Sequence, residues 1–193
     1  MLLSHTNLVA EASLVAATSR PFYEQEARAG NPFDRRTLAH LPTAHIAGVM
    51  GYFVLPHFEG GVVYWMPGFN FDQFLAHCGN LRINNFFTVP PIYMAIAKHP
   101  AVKDQFKLIR AATSGAAPLT GELQEQATKK MGSGYEIRQT WGMSETTGAA
   151  TYCPVGEDVL MGSLGQLFPN VLMRYEPRSP FWSSVKTPTH EQF

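Results

Sequence analysis

The strongest constraint on the fold of this chain is a repeated switch between two hydrophobic periods. Short runs rich in β-branched and aromatic residues alternate with longer stretches whose apolar residues recur at helical spacing. Thr37 to Leu41 reads as a strand ending at Pro42, and a helix from about His45 to Leu55 follows. Gly61 to Met66 is a strand, and Asn70 opens a helix through about Cys78. Asn85 to Val89 is a strand stopped by Pro90 and Pro91, with a helix from Ile92 to Lys98. Leu108 to Thr113 is strand-like, and Leu119 to Met131 is the best-marked helix, with Thr120 as its cap and Gly132 at its end. Tyr135 to Gln139 is one more short strand. Strands separated by helices of about ten residues imply βαβ units, hence an α/β fold with a mainly parallel sheet.

The ends differ from this middle. Ser4 can cap a helix through about Thr18 that carries Leu8, Ala12 and Val15 on one face. Pro21 to Arg35 is polar, contains a Gly-Asn-Pro turn signal and reads as a surface loop. Glu11, Lys98 and the charges from Glu122 to Lys129 read as solvated helix faces. From Tyr175 to Phe193 periodicity stops and prolines, serines and threonines take over, so the reading is one domain over 1–174 and an irregular tail over 175–193.

Composition removes several function classes. The 193 residues are 45% hydrophobic and 16% charged with zero net charge, which fits a globular core and gives no electrostatic attraction to nucleic acid. The longest apolar stretch, Ile46 to Phe58, is too short to span a membrane. Cys78 and Cys153 have no metal-site spacing, and a reduced, cytoplasmic setting is expected by default.

Two segments carry groups suited to a ligand. Ala112-Thr113-Ser114-Gly115-Ala116-Ala117-Pro118 lies where a strand hands over to a helix, the place where open α/β sheets bind ligands. Its small residues would let a flat ligand reach backbone amides, or would simply permit a tight turn. Arg138-Gln139-Thr140-Trp141-Gly142-Met143-Ser144-Glu145-Thr146-Thr147-Gly148 combines a stacking ring, hydroxyls and a carboxylate. Trp141 could stack on a purine, Ser144 could donate to a phosphate oxygen, and Glu145 could hold Mg²⁺. The plainer reading is a capped turn in which Ser144 or Thr147 satisfies local amides and Glu145 is solvated. A nucleophile elbow does not match, because Thr146 stands where its second glycine is required. Both segments follow successive strands separated by one helix, so a parallel sheet brings them out side by side.

SGAAPL at Ser114 to Leu119 and QTWGMSETTG at Gln139 to Gly148 resemble the nucleotide-binding segments of adenylate-forming enzymes. The group resembled most is the 4-coumarate–CoA ligase-like acyl-CoA synthetases of fungal type. LPTAHIAG (Leu41 to Gly48), YWMPGF (Tyr64 to Phe69), TVPPIYMAIAK (Thr88 to Lys98) and the opening MLLSHTNL match further segments in the same order. The resemblance implies ATP-dependent activation of a carboxylic acid through an acyl-adenylate, followed by transfer to CoA. It implies that Gly115, Ala116, Ala117 and Pro118 line the adenine and acyl pocket, with Trp141 flanking adenine. Gln139 and Thr140 would contact the acyl-adenylate, Ser144 its phosphate, and Glu145 the Mg²⁺. His45 matches the active-site histidine at the carboxylate, whereas His5 and His40 remain structural.

Departures from the pattern narrow these expectations. Ala47 and Gly51 stand where plant coumarate ligases carry hydroxyls, which weakens the case for a phenolic acid and leaves aromatic and medium-to-long aliphatic acids equal. Gly68 replaces a lysine used near CoA. The lysine-bearing phosphate loop would lie before Met1, and the ribose-binding aspartate and lysine domain beyond Arg174, so a truncated, weakly active or inactive product is expected. The rival expectation is a non-catalytic module that binds nucleotide or acyl ligands or a partner. A third is a fragment with no independent fold, because it would lack sheet neighbours and expose a hydrophobic edge.

Overall fold

The structure is a computed structural model that describes residues 2–174, so the expected tail over 175–193 lies outside the described residues. Helix α1 (His5–Arg28) begins at a reciprocal cap: the Asn7 amide donates to Ser4 Oγ, and the Ser4 amide donates to Asn7 Oδ1. It runs through Pro21, past the point where the sequence reading places a loop. Proline removes one helical donor and crowds the preceding turn. Ser19 Oγ donates to the Val15 carbonyl at 2.9 Å and Thr18 Oγ1 to the same oxygen at 3.0 Å, just before the turn that Pro21 crowds. The last turns are anchored from outside: the Tyr23 ring stacks on Phe33 at 4.5 Å, and Glu26 pairs with Arg110 at 2.7 Å. Tertiary contacts thus carry the helix through a residue that would break an isolated one.

Five strands form one parallel sheet in the order β2-β1-β3-β4-β5: β1 (Arg36–Ala39), β2 (Val62–Trp65), β3 (Asn85–Thr88), β4 (Ala111–Ser114) and β5 (Ile137–Gln139). The mainly parallel α/β architecture read from the alternating periods is therefore present. Crossover segments contain α4 (Phe71–Asn80), α5 (Pro90–Lys98) and α6 (Gly121–Met131). Asn70 and Thr120 cap α4 and α6 with their side chains, and Gly132 takes the left-handed conformation (φ 63°) that ends α6. Pro90 and Pro91 begin α5 rather than merely stopping β3, because the first turn of a helix needs no backbone donor.

Between β1 and β2 the expected single helix is α2 (Ile46–Gly48), then a π-helical stretch (Val49–Val54), then α3 (Leu55–Glu59). Such wide turns occur often at functional sites.

Side chains alternate across the strands, so each strand feeds two faces. Leu38, Phe86, Ala112 and Ile137 join Phe74, Tyr93, Ile96, Phe106 and Met131 in the main core against α4, α5 and α6. The neighbouring positions Thr37, Asn85, Phe87, Ala111, Thr113 and Arg138 instead line a cavity shared with α1 and the π-helical stretch. At the sheet's β2 edge, Val62 and Trp65 are exposed, with Phe53 packed on Trp65 at 4.9 Å.

Candidate active site

The segment after β4 begins at Gly115, where a side chain would be tightly confined. A Cβ there would sit 3.2 Å from both Phe87 and Thr140. Ala116 follows with φ 68°, a left-handed conformation uncommon outside glycine and concentrated at functional turns. The far end of this turn is held from β5. The Gln139 carboxamide accepts from the Leu119 amide (3.2 Å) and donates to the Leu119 carbonyl (2.9 Å) and to Gln124 Oε1 (2.8 Å). Gln139 is buried, and its side chain ties the segment after β4 to the segment after β5.

Beyond β5 the chain forms a small antiparallel hairpin of β6 (Gly142–Met143) and β7 (Gly148–Ala149), joined by a 3₁₀ turn at Ser144–Thr146. Thr140 Oγ1 donates to the Thr151 carbonyl at 2.7 Å, and the Trp141 amide donates to Thr151 Oγ1 at 2.8 Å. The turn is capped by Thr146, not by Ser144 or Thr147: Thr146 Oγ1 accepts from the Met143 amide at 3.0 Å and reaches the Gly148 carbonyl at 2.9 Å. Thr147 supplies the left-handed residue at φ 65°. Among the described residues, no hydrogen bond or ion pair occupies the Ser144 hydroxyl or the Glu145 carboxylate. Local satisfaction therefore leaves these two groups free for something else.

His45 is exposed and caps α2, with its Nδ1 accepting from the Ala47 amide at 3.1 Å. In the neutral ring this assigns the proton to Nε2, a free donor. His40 has the structural role expected of it. It is buried between the Leu38 carbonyl (2.8 Å) and Thr88 Oγ1 (2.9 Å), and burial pushes its pKa down to about 4.

One cavity of about 470 Å³ gathers most of these groups, a size typical of small-molecule sites. His45, Gly115, Ala116, Gln139, Thr140, Ser144 and Glu145 line it, together with the apolar Ile46, Ala47, Met50, Leu55 and Phe87. Ala117, Pro118 and Trp141 are not among its lining residues; Trp141 lies 40% exposed beside it. Among the described residues no cluster of three metal-binding side chains exists, so any cation here would rely on Glu145 and on oxygens of a ligand. A lone exposed carboxylate beside a free hydroxyl fits Mg²⁺, which commonly takes one or two carboxylates plus substrate phosphates.

Glu11 is a correction. Expected on a solvated face, it is 6% exposed, lines the cavity, and accepts from the Ala149 amide through Oε1 at 2.8 Å. The spacing contained the signal: Leu8, Glu11, Ala12 and Val15 form one i, i+3, i+4, i+7 stripe, so Glu11 sits within the apolar face. Burial pushes its pKa from 4.5 up to about 7, and the Ala149 amide offsets part of that rise. The folded chain thus holds this proton to higher pH than the unfolded chain, so the stabilisation present below about pH 4.5 is lost as pH rises through about 7. Glu11→Gln, which does not ionise, is expected to gain stability relative to the parent across that window and to hold a constant difference above it. Urea midpoints at pH 4.5, 6 and 8 check this; parallel pH dependence in the two proteins would refute it.

The AMP-binding enzyme family model matches residues 1–175. A putative acyl-coenzyme A synthetase of Emericella nidulans is 45% identical over 174 residues, covering 90% of this chain and 31% of that protein. A probable 4-coumarate–CoA ligase of Dictyostelium discoideum is 32% identical, covering 89% of this chain and 30% of that protein. The crystal structure of ATP-bound MatB from Rhodopseudomonas palustris superposes with a TM-score of 0.72 at 24% identity, covering 86% of this chain and 30% of that one. The chain thus spans about 30% of the length of the relatives it matches. Among the described residues no helix is long and apolar enough to cross a membrane.

Proposed function

The chain belongs to the AMP-binding enzyme family, and from that membership we propose that its cavity is part of an acyl-CoA ligase-type site that activates a carboxylic acid with ATP. The observation that carries this reading is the pairing of a free Ser144 hydroxyl and a free Glu145 carboxylate with the Gly115–Ala116 turn and His45 around one cavity. In the proposed reaction a carboxylate oxygen bonds to the α-phosphorus of ATP, and pyrophosphate leaves with the electron pair of the broken P–O bond. The acyl-adenylate then passes its acyl group to the thiol of CoA, releasing AMP. Such chemistry depends on positioning and on neutralising charge, with no protein nucleophile.

Ser144 donates to a phosphate oxygen, Nε2–H of His45 donates toward the acid's carboxylate, and Glu145 is the residue that would hold Mg²⁺. When bound, that cation neutralises charge building on the leaving group. The backbone of the Gly115–Ala116 turn lines the place of the adenylate, its Gly115 amide held by the Thr88 carbonyl, while the Gln139 side chain acts behind it by bracing Leu119. Ile46, Met50, Leu55 and Phe87 suit an apolar acid, aromatic or medium-to-long aliphatic. Ala47 and Gly51 offer no hydroxyl to read a phenol. No feature of the site favours the non-catalytic module over this reading.

With Trp141 outside the cavity lining, nucleotide affinity rests on one or two charge-assisted hydrogen bonds of about 1.5–3 kcal/mol each. A Kd of about 1 mM already needs about 4.1 kcal/mol, so binding by this chain is expected to be millimolar or weaker. Titrating Mg²⁺-ATP into isotopically labelled chain should shift amides of Gly115, Ala116 and the Gly142 to Gly148 segment, and Glu145→Gln should weaken binding. Shifts confined to another surface, or none at saturating nucleotide, would reject the assignment. Acid-dependent pyrophosphate exchange, run beside the titration, reports how much of the reaction this span supports.

A further inference from the structure

Glu11 lies 138 positions from Ala149 in sequence, yet its Oε1 accepts that residue's amide at 2.8 Å from within a cavity wall. The contact is close on both sides. Gly148 has φ 146°, and a Cβ at that position would lie 2.9 Å from the same carboxylate oxygen. Gly148 and Ala149 are β7, paired to β6 through only Gly142↔Ala149 and Met143↔Gly148. A two-stranded ladder is marginal in water by itself, so this one depends on anchors outside it. Thr151 Oγ1 provides one, at the Trp141 amide where the hairpin departs. The Ala150 amide also donates to the Trp141 carbonyl at 2.7 Å, and the Phe168 amide to the Ala150 carbonyl at 3.0 Å, both at the base of the hairpin. Glu11 is the side chain that holds the returning limb further out, at Ala149. Between those limbs sit Ser144 and Glu145, whose side chains make no hydrogen bond or ion pair among the described residues; Thr146 Oγ1 caps their turn from within.

We infer that Glu11 is a positioning residue of the proposed site: reaching from α1, its carboxylate holds the hairpin in the arrangement that sets Ser144 and Glu145 on the cavity wall. The inference rests on the nucleotide reading for its purpose, but its physical content, the hairpin's order, can be measured without nucleotide. The group required at position 11 is an acceptor for the Ala149 amide, so a carboxamide should serve where an alkyl group should not.

Hydrogen exchange of Glu11→Leu is expected to speed by tenfold or more at the Gly142 to Ala149 amides while α6 stays protected. Its Mg²⁺-ATP affinity should fall at least fivefold. Glu11→Gln should return both to within about twofold of the parent, a rescue that a general loss of packing would not show. Exchange raised uniformly along the chain, an unchanged hairpin, or a Gln variant that behaves like Leu would each overturn the inference. Should Glu11→Leu fail to fold, the parent chain still decides: its Ala149 amide proton resonance should move with pH in step with the Glu11 carboxyl carbon, and a flat Ala149 resonance overturns the inference. A hairpin that loosens in Glu11→Leu, in a chain whose parent binds no nucleotide, supports the positioning role and rejects the nucleotide reading.

Discussion

Gly142→Ala is expected to lower stability by about 3 kcal/mol, a drop in Tm of roughly 6–12 °C for a chain of this size. The added methyl carbon would lie 1.8 Å from the Gly148 carbonyl oxygen and 2.7 Å from Ala149 Cα. Both are backbone atoms, so no side-chain rotation relieves the clash. The hairpin must open, and opening it breaks the β6–β7 pairing and moves Ser144 and Glu145 from the cavity wall. Loss of the Mg²⁺-ATP shifts at Gly115 and Ala116 should accompany the thermal change. Gly68→Ala is the control: nothing lies within 4 Å of its added carbon, and the change should stay within about 0.5 kcal/mol. Calorimetry that ranks the two variants together would show that the hairpin is not built as described.

Gln139→Glu should cost about 3–5 kcal/mol at neutral pH, because it leaves a charge buried without a partner. In the parent chain Nε2 donates to the Leu119 carbonyl and to Gln124 Oε1, both acceptors. A carboxylate oxygen at that place meets two acceptors and keeps only the Leu119 amide as a donor. Burial and these two acceptors raise the new carboxyl's pKa in the folded state. Its protonated form can donate once, so the variant's stability is greatest below the unfolded carboxyl pKa and is lost as pH rises through the folded one. Gln139→Met, which cannot ionise, should be destabilised without that pH dependence. Denaturation midpoints between pH 4 and 8 separate them. If Gln139 served only to touch a ligand, neither change would disturb the unliganded chain.

Gly142 and Gln139 both belong to the second of the two ligand-suited segments, Arg138 to Gly148, yet neither residue's structural role is legible there. In sequence Gly142 is one glycine in a polar stretch; its requirement comes from Gly148 folding back upon it. The resemblance implies that Gln139 contacts the acyl-adenylate; Gln139 lines the cavity, and its buried side chain in addition joins Leu119 to Gln124, which the sequence does not show. The hydroxyl that caps the turn is Thr146, where composition favoured Ser144 or Thr147, because cap geometry depends on which residue turns left-handed. Trp141 has the chemistry to stack on a base, and its place outside the cavity lining follows from the direction in which Thr140 and Thr151 set the chain.

What the chain's own order of residues determined was the type and order of the main elements and most of their caps, features that depend on near neighbours. The alternation of periods determined a parallel α/β sheet, the caps at Ser4, Asn70 and Thr120, and the stop at Gly132. Because strand, crossover and strand follow a regular path, it also determined that the Gly115 and Ser144 segments leave the same sheet edge. Only the tertiary structure decided the rest: that α1 continues through Pro21, that the helix after His45 widens into a π-turn, and that Glu11 is buried against a hairpin far along the chain. The physical reason is the range of the forces concerned. Periodicity and capping are local hydrogen-bond and side-chain geometry, whereas burial, desolvation and the satisfaction of a distant amide exist only once separate segments have closed around one cavity.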